Sequence, residues 1–579
     1  MLDDRVLDVR INGATIIDGT GRPGFVGDIG IRDGRISAIG EVTEPATRVI
    51  DGTGLVVCPG FVDPHTHYDA QLLWDPQASP SNVHGVTSII GGNCGFTLAP
   101  IIAADADFTR RMMAKVEGMP LAALEEGIDW NWSSFGEYLD VLDGNIAVNA
   151  GFLVGHCAIR RKVMGAERAM DPATDAEIEA MAQLLGDCID SGGLGFSTTR
   201  SSSHSDGDGD PVPSRMATTE EVLALCREVA RHPGTTLEAI TEGCNHMFTE
   251  EEIDLFVGMS RAAERPLNWN VLTLDAAAPD RAPHQLQPSV RAAEAGDARV
   301  VALTMPVLVP MNMNFLTYCA LWNLPNWREV MALPVADRIE QLKDPVTQHA
   351  MLTGAQSKEA GVFGRLSNFA GYRVGDTYSL ANAGLSGRIV SDIAAERGTE
   401  PFATLIDIVV ADDLRTIVWP HPTDDNPESW ELRRATWENP HVMLGGSDAG
   451  AHLDRMFGAG YITQFLADVL RGRKLLGIER AIQMLTDVPG RLFGLRDRGR
   501  LEAGYLADVV VFDPATIDSE APLLTPDLPA KSIRLTAGSR GIEHVFVNGI
   551  ETVTAGVATG ALPGVVLRSG RDTDTVSVR

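Results

Sequence analysis

The chain has 579 residues, of which 44% are hydrophobic and 22% charged, and its 48 basic against 78 acidic side chains give a formal net charge of −30. That length exceeds one minimal domain, and the composition is that of a soluble globular protein. A surface this acidic repels phosphate backbones and anionic lipid, which sets aside nucleic acid and membranes as partners; a homo-oligomer is compatible with it.

The opening, MLDDRVLDVRING, is acidic and lacks the apolar core of a signal peptide. Residues 6–58 then read as short strands, because VRINGATIIDG, DIGIRDGRISAIG and RVIDGTGLVVCPG alternate apolar and polar positions. Asp33-Gly34 predicts a hairpin, since a type I′ turn needs positive φ at both central positions. The far end repeats this style in ADVVVFDP (507–514) and HVFVNGIETV (544–553), with an Asn548-Gly549 turn. Both ends together are expected to form one small β-sandwich from 1–59 and 500–579.

Between them strands and helices alternate. VTSIIGGNCG, NIAVNAGFLVGH (145–156), PLNWNVLTL (266–274) and PHVMLGGSD (440–448) predict buried strands, and 175–192 and 218–234 predict helices. Alternation over 60–499 predicts an α/β fold, with a (β/α)8 TIM barrel as first choice. Residues 276–375 are too long for one connection and predict an insertion or lid. The most apolar stretch, 300–318, is broken by Pro306, Pro310, Asn312 and Asn314, so it does not read as a membrane span. The seven cysteines, at 58, 94, 157, 188, 226, 244 and 319, form no CxxC pair, which predicts free thiols in a reducing, cytoplasmic compartment.

PGFVDPHTHYDAQ (59–71) places His65 and His67 two positions apart after an apolar run. On a strand such residues share a face, so at a barrel strand's end both imidazoles can meet one cation. Asp448, in HVMLGGSDAGAH, ends a second apolar run, and a carboxylate there suits a metal ligand that also shuttles a proton to a leaving nitrogen. Taken alone, it also suits an N-cap. Asp206, Asp208 and Asp210 imitate the start of a calcium loop, but Pro211 follows and Ala217 stands where the closing Glu belongs. There is no phosphate loop and no GxSxG elbow.

These features resemble the amidohydrolase superfamily, and IIGGNCGFTLAP (89–100) narrows the resemblance to the D-aminoacylases, the N-acyl-D-amino-acid deacylases. It extends through LVGHCAIRRKVMG (153–165), GGLGFSTTR (192–200), GSDAGAH (446–452) and RLFGLRDRGRLEAGYLADVVVFDP (491–514). The resemblance implies a hydrolase of C–N amide bonds that needs zinc or another divalent metal, with Cys94 as a thiolate ligand. Two further zinc-ligand histidines of that family are missing here. TTLEAITEG (235–243) has Glu238 where the first falls, and LNWNVLT (267–273) has Asn270 or Val271 where the second falls. Thr273 replaces a lysine that serves the substrate carboxylate in that family. The remaining donors, His65, His67, Cys94 and Asp448 with Glu238 as a fifth, suit a single zinc. Arg200, Arg215 and Arg455 are candidate contacts for a substrate anion, and His452 is a candidate substrate-facing residue. His156 reads equally as a buried, hydrogen-bonded histidine. Alternatives on the same core are opening of a cyclic amide or lactone, or a non-catalytic assembly protein; retention of the HxH pair, Cys94 and Asp448 disfavours the last.

Overall fold

The computed structural model describes residues 6–317 and 319–578; Met1–Arg5 of the acidic opening and Tyr318 of the apolar stretch lie outside them. The chain divides into two compact units, one holding the residues up to Leu272, Ala282–Val307 and those from Arg434 onward, the other Thr273–Arg281 with Leu308–Arg433.

In the first unit the two chain ends share one sheet. Strand Val56–Pro59 lies parallel to Leu7–Ile16 on one side and antiparallel to Val509–Phe512 on the other. The hairpin of Phe25–Arg32 with Arg35–Gly40 turns at Asp33 and Gly34, with φ of 50° and 75°. Asn548 and Gly549 turn the second hairpin in the same way, with φ of 49° and 79°. The alternating positions Val9, Ile11, Ile29, Ile31, Val509 and Val511 meet in one apolar cluster with Phe546.

The strands between these ends pair in parallel. They are β1 (Phe61–Asp63), β2 (Val86–Gly91), β3 (Asn149–Phe152, continuing as Val154–Gly155), β4 (Gly195–Thr199), β5 (Thr236–Ile240), β6 (Leu267–Trp269), β7 (Val300–Thr304) and β8 (Val442–Leu444). Each pairs with the next in order. A parallel bridge between Thr66 and Ala449 links the segment after β8 to the segment after β1. The strands read as nearly continuous apolar runs because they are buried throughout, as parallel strands are. Helices lie between them, and Thr174, Thr218 and Thr249 cap Asp175–Asp190, Thr219–Val229 and Glu250–Ala263 by accepting the N–H of the Glu three residues on. No helix among the described residues is long and apolar enough to cross a membrane.

The second unit has its own core of Phe315, Trp327, Phe369, Tyr372 and Phe402. The rings of Trp327 and Phe369 stack with centroids 5.9 Å apart, and Trp327 Nε1 donates to the Met351 carbonyl at 2.9 Å.

A buried polar node ties the terminal sheet to the parallel strands. Asp508 pairs with Arg498, accepts from Asn149 Nδ2 of β3 at 3.1 Å and from the Asn548 N–H at 2.8 Å. Its carbonyl also accepts the Gly60 N–H at 2.8 Å, one residue before β1. Removing one partner of a buried ion pair strands the other, so Asp508→Asn is expected to lower stability by about 3–5 kcal/mol, measured as a fall in the denaturant midpoint.

Candidate functional site

β1 ends at Asp63, and the chain bends at Pro64 and His65 before a bridge at Thr66. The Thr66 N–H donates to the Ile90 carbonyl at 2.9 Å and the His67 N–H to the Ala449 carbonyl at 2.7 Å. These two bonds pin the segment, and the His65 and His67 rings lie edge to face with centroids 5.3 Å apart. Gly450 allows the close approach: its φ is +92°, and a Cβ there would stand 2.6 Å from the His67 backbone.

Cys94 sits in the turn after β2 with φ of 55°. Several polar groups pin that turn. Asp69 Oδ2 accepts the Gly92 N–H at 3.1 Å, Asn93 Nδ2 donates to the Thr66 carbonyl at 3.1 Å, and Ser197 Oγ of β4 accepts the Gly95 N–H at 3.0 Å. Glu238, opposite Ser197 on β5, accepts the Cys94 N–H itself at 2.7 Å. Asp448 follows β8 with φ of 52°. Its neighbour Ser447 donates through Oγ to Asp63 Oδ2 at 2.6 Å, which fixes the turn against the end of β1.

Among the described residues, His65, His67 and Cys94 form a cluster whose ligand atoms all lie within 4.8 Å of one another. His65 Nε2 is 3.7 Å from Cys94 Sγ and 3.3 Å from Asp448 Oδ1, and His67 Nε2 is 3.6 Å from the same oxygen. Asn270 Nδ2 lies 3.3 Å from His65 Nε2 and 3.2 Å from Asp448 Oδ1. Both residues that stand where the resemblance leads one to expect histidines thus reach this point, Glu238 through the Cys94 turn and Asn270 directly.

The electrostatics follow from concentrating acids where water is scarce. Burial, reinforced by the Asp448 and Glu117 carboxylates, pushes the Glu238 carboxyl up to about 8. Burial likewise lifts Glu117 to about 7 and Asp69 to about 6, and raises the Cys94 thiol with help from Glu238. Burial opposes protonation of His67, but Glu117, Asp448 and Asp69 outweigh it and raise the imidazole to about 9. Burial also opposes ionisation of Asp448, yet hydrogen bonds from His65 and His67 hold it well below the usual carboxylate range. The set fits a divalent cation. It offers two imidazoles, a cysteine sulfur and a carboxylate, and His65 Nδ1, Glu238 Oε1 and Asn270 Oδ1 are buried without a hydrogen-bond partner.

The other residues singled out in the sequence take different places. Arg200 Nη1 donates to Thr219 Oγ1 at 3.3 Å, Arg215 Nη1 to the His204 carbonyl at 3.0 Å, and Arg455 pairs with Asp454 at 2.6 Å. His452 is half-buried, and burial lowers it to about 4. His156 is fully buried between Thr198 Oγ1 and Glu221 Oε1, each at 2.9 Å. Asp206 Oδ1 accepts the N–H groups of Asp208 and Asp210, so that loop satisfies itself.

Three site residues escaped sequence reasoning. Asp69 follows His67 by two residues in the sequence, but the chain has entered a turn there. His204 packs edge-on against Phe96 at 5.2 Å, with Nδ1 2.8 Å from Thr199 Oγ1; it sits in a loop with no motif. Glu117 carries no sequence signal at all.

Comparison with known proteins accords with this geometry. The model of the amidohydrolase family matches residues 48–553. The chain is 30% identical over 573 residues to D-aminoacylase of Alcaligenes xylosoxydans xylosoxydans, covering 98% of both proteins. The solved N-acyl-D-glutamate deacylase of Bordetella bronchiseptica, complexed with zinc and a phosphonate mimic of the tetrahedral intermediate, is 25% identical. It superposes with a TM-score of 0.63 over 97% of this chain and 100% of that one. A D-aminoacylase with a binuclear metal centre, described by one-metal activation and second-metal attenuation, is 27% identical at the same TM-score and coverage. With its family model matched along most of its length and a relative aligned end to end, the chain belongs to the amidohydrolase family.

Proposed function

We propose that this protein is a metal-dependent amidohydrolase that hydrolyses the C–N amide bond of an N-acyl-D-amino acid, releasing a carboxylate and a D-amino acid. The observation that carries the reading is the meeting of His65 Nε2, Cys94 Sγ and Asp448 Oδ1 at the C-terminal ends of β1, β2 and β8. In the barrel reading, a (β/α)8 core of 60–499 supports the site, and the sequential parallel pairings with the Thr66–Ala449 bridge favour it. The sheet shared by the chain ends supports the expected β-sandwich of 1–59 and 500–579, except that Val566–Leu567 pairs in parallel with β3; the unit Thr273–Arg281 with Leu308–Arg433 holds the insertion expected within 276–375 and extends beyond it.

His65, His67, Cys94 and Asp448 would hold one zinc ion, with Glu238 Oε1 as a further oxygen donor; another divalent metal suits the same donors. When bound, such an ion supplies Lewis-acid polarisation of an amide carbonyl and makes water acidic enough to act as a nucleophile near pH ~7. Asp448, whose Oδ1 lies beside both imidazoles, is the carboxylate placed to accept the proton of the attacking water and return it to the leaving nitrogen. Glu238 and Ser197 keep the Cys94 turn rigid, which fixes the thiol against His65. Arg200, Arg215, Arg455 and His452 are the groups from which the contact to a substrate carboxylate is drawn, with Arg215 acting beside His204. The likeness to D-aminoacylase and to a deacylase solved with zinc and a phosphonate supports a linear amide and a single catalytic ion.

His65→Ala and His67→Ala are each expected to weaken zinc binding by more than ~100-fold, since losing a ligand exceeds the 10–100-fold cost of losing an outer partner. Metal analysis of the purified variants reads this. Asp448→Asn is expected to slow hydrolysis by about 10²–10⁴-fold, the range of one positioned acid–base group. Wild-type protein without stoichiometric metal, together with unchanged hydrolysis in Asp448→Asn, would refute the mechanism. A panel of N-acyl-D-amino acids, cyclic imides and lactones should show turnover of the linear amides; turnover confined to the rings would replace this substrate class.

A further inference from the structure

Glu117 stands at the end of helix Ala106–Val116, where the chain's own dipole is negative and a carboxylate is disfavoured. It is nevertheless only 2% exposed, and its Oε1 has no hydrogen-bond partner. Local structure thus gives this acid neither water nor a cap, and a buried charge in that position needs an opposite charge close by. That group is His67, whose Nδ1 lies 3.4 Å from Glu117 Oε1. The other ring nitrogen, Nε2, faces Asp448.

The backbone at Glu117 makes a second connection. Its carbonyl accepts the N–H of His452, which lies four residues beyond Asp448 at φ of 51°. The next residue is Gly118, where a Cβ would come 3.2 Å from His452 Cα, so the two segments touch closely. One residue therefore braces both the ring of His67 and the turn that carries Asp448.

We infer that Glu117 is a positioning residue for the metal site: it keeps the proton of His67 on Nδ1, so that Nε2 presents its lone pair beside Asp448 and Cys94. A neutral imidazole has one N–H, and a carboxylate at Nδ1 selects the tautomer with the free pair on Nε2 while raising its basicity as a ligand. The inference rests on the metal-dependent reading above.

The test is titration of the metal-free full-length protein with cobalt(II), following its visible absorption, for wild type, Glu117→Gln and Glu117→Asp. Glu117→Gln keeps the shape but not the charge and is expected to bind cobalt about 10–100-fold more weakly, with an altered spectrum. The thermal midpoint of its metal-free form should stay close to that of wild type, because glutamine fills the same space and Glu117 Oε1 makes no hydrogen bond to lose. Glu117→Asp, which keeps the charge, should bind more tightly than Glu117→Gln. Wild-type affinity and spectrum in Glu117→Gln would overturn the inference. So would weaker binding in both variants matched by lower metal-free midpoints, which marks a structural role. If wild type itself binds no stoichiometric cobalt, the metal-dependent reading fails and takes this inference with it.

Discussion

Buried negative charge without enough buried positive charge is the constraint around which this molecule is organised. Asp448, Glu117, Glu238 and Asp69 crowd one end of the parallel strands, and among the described residues the imidazole of His67 is the group raised in answer to them. Ordinary cores avoid such a concentration, because each carboxylate removed from water costs several kcal/mol unless paired. Its persistence here reflects a site made to attract a cation. The same deficit lifts Glu238 and Glu117 far above the usual carboxylate range while Asp448, touching both imidazoles, stays ionised. Environment alone assigns different protonation states to chemically similar groups.

Holding that arrangement requires stiff backbone at each strand end. The Cys94 turn hangs on Asp69, Ser197 and Glu238 from three different segments, and the Asp448 turn hangs on Asp63 through Ser447. Gly92 in the first turn has φ of +70°, and a Cβ there would stand 2.1 Å from the Leu153 carbonyl, so no other residue fits. Farther out, the Asp508 node fastens the terminal sheet to the start of β1 and to β3. The sheet that joins the two chain ends is thus mechanically part of what aims His65 and His67.

The donor set is richer in oxygen than the family pattern suggests. Where that pattern has histidines, Glu238 supplies a carboxylate and Asn270 an amide, and both still converge on Cys94, His65 and Asp448. Position has been kept while chemistry has changed. Oxygen donors shift a site towards harder cations than the imidazoles they replace.

Periodicity and turn chemistry were legible in the sequence. The two-residue alternation of strands and the positive φ demanded at Asp33-Gly34 and Asn548-Gly549 are local rules, satisfied within a few residues. His65, His67 and Cys94 could be read for the same reason: close spacing after an apolar run, or glycines around a thiol, carries its meaning in a short window. Glu117 and His204 obey none, because their importance arises from segments far apart in the chain, 50 residues between Glu117 and His67 for example. Which arginines pair with their own neighbours, and which acids share one dry site, was likewise settled only by packing. Sequence determined the strands, the turns and which residues are candidate donors, since those depend on local backbone preference and short spacings. Tertiary structure decided their protonation and their mutual distances, since electrostatic energy depends on separation and burial in space.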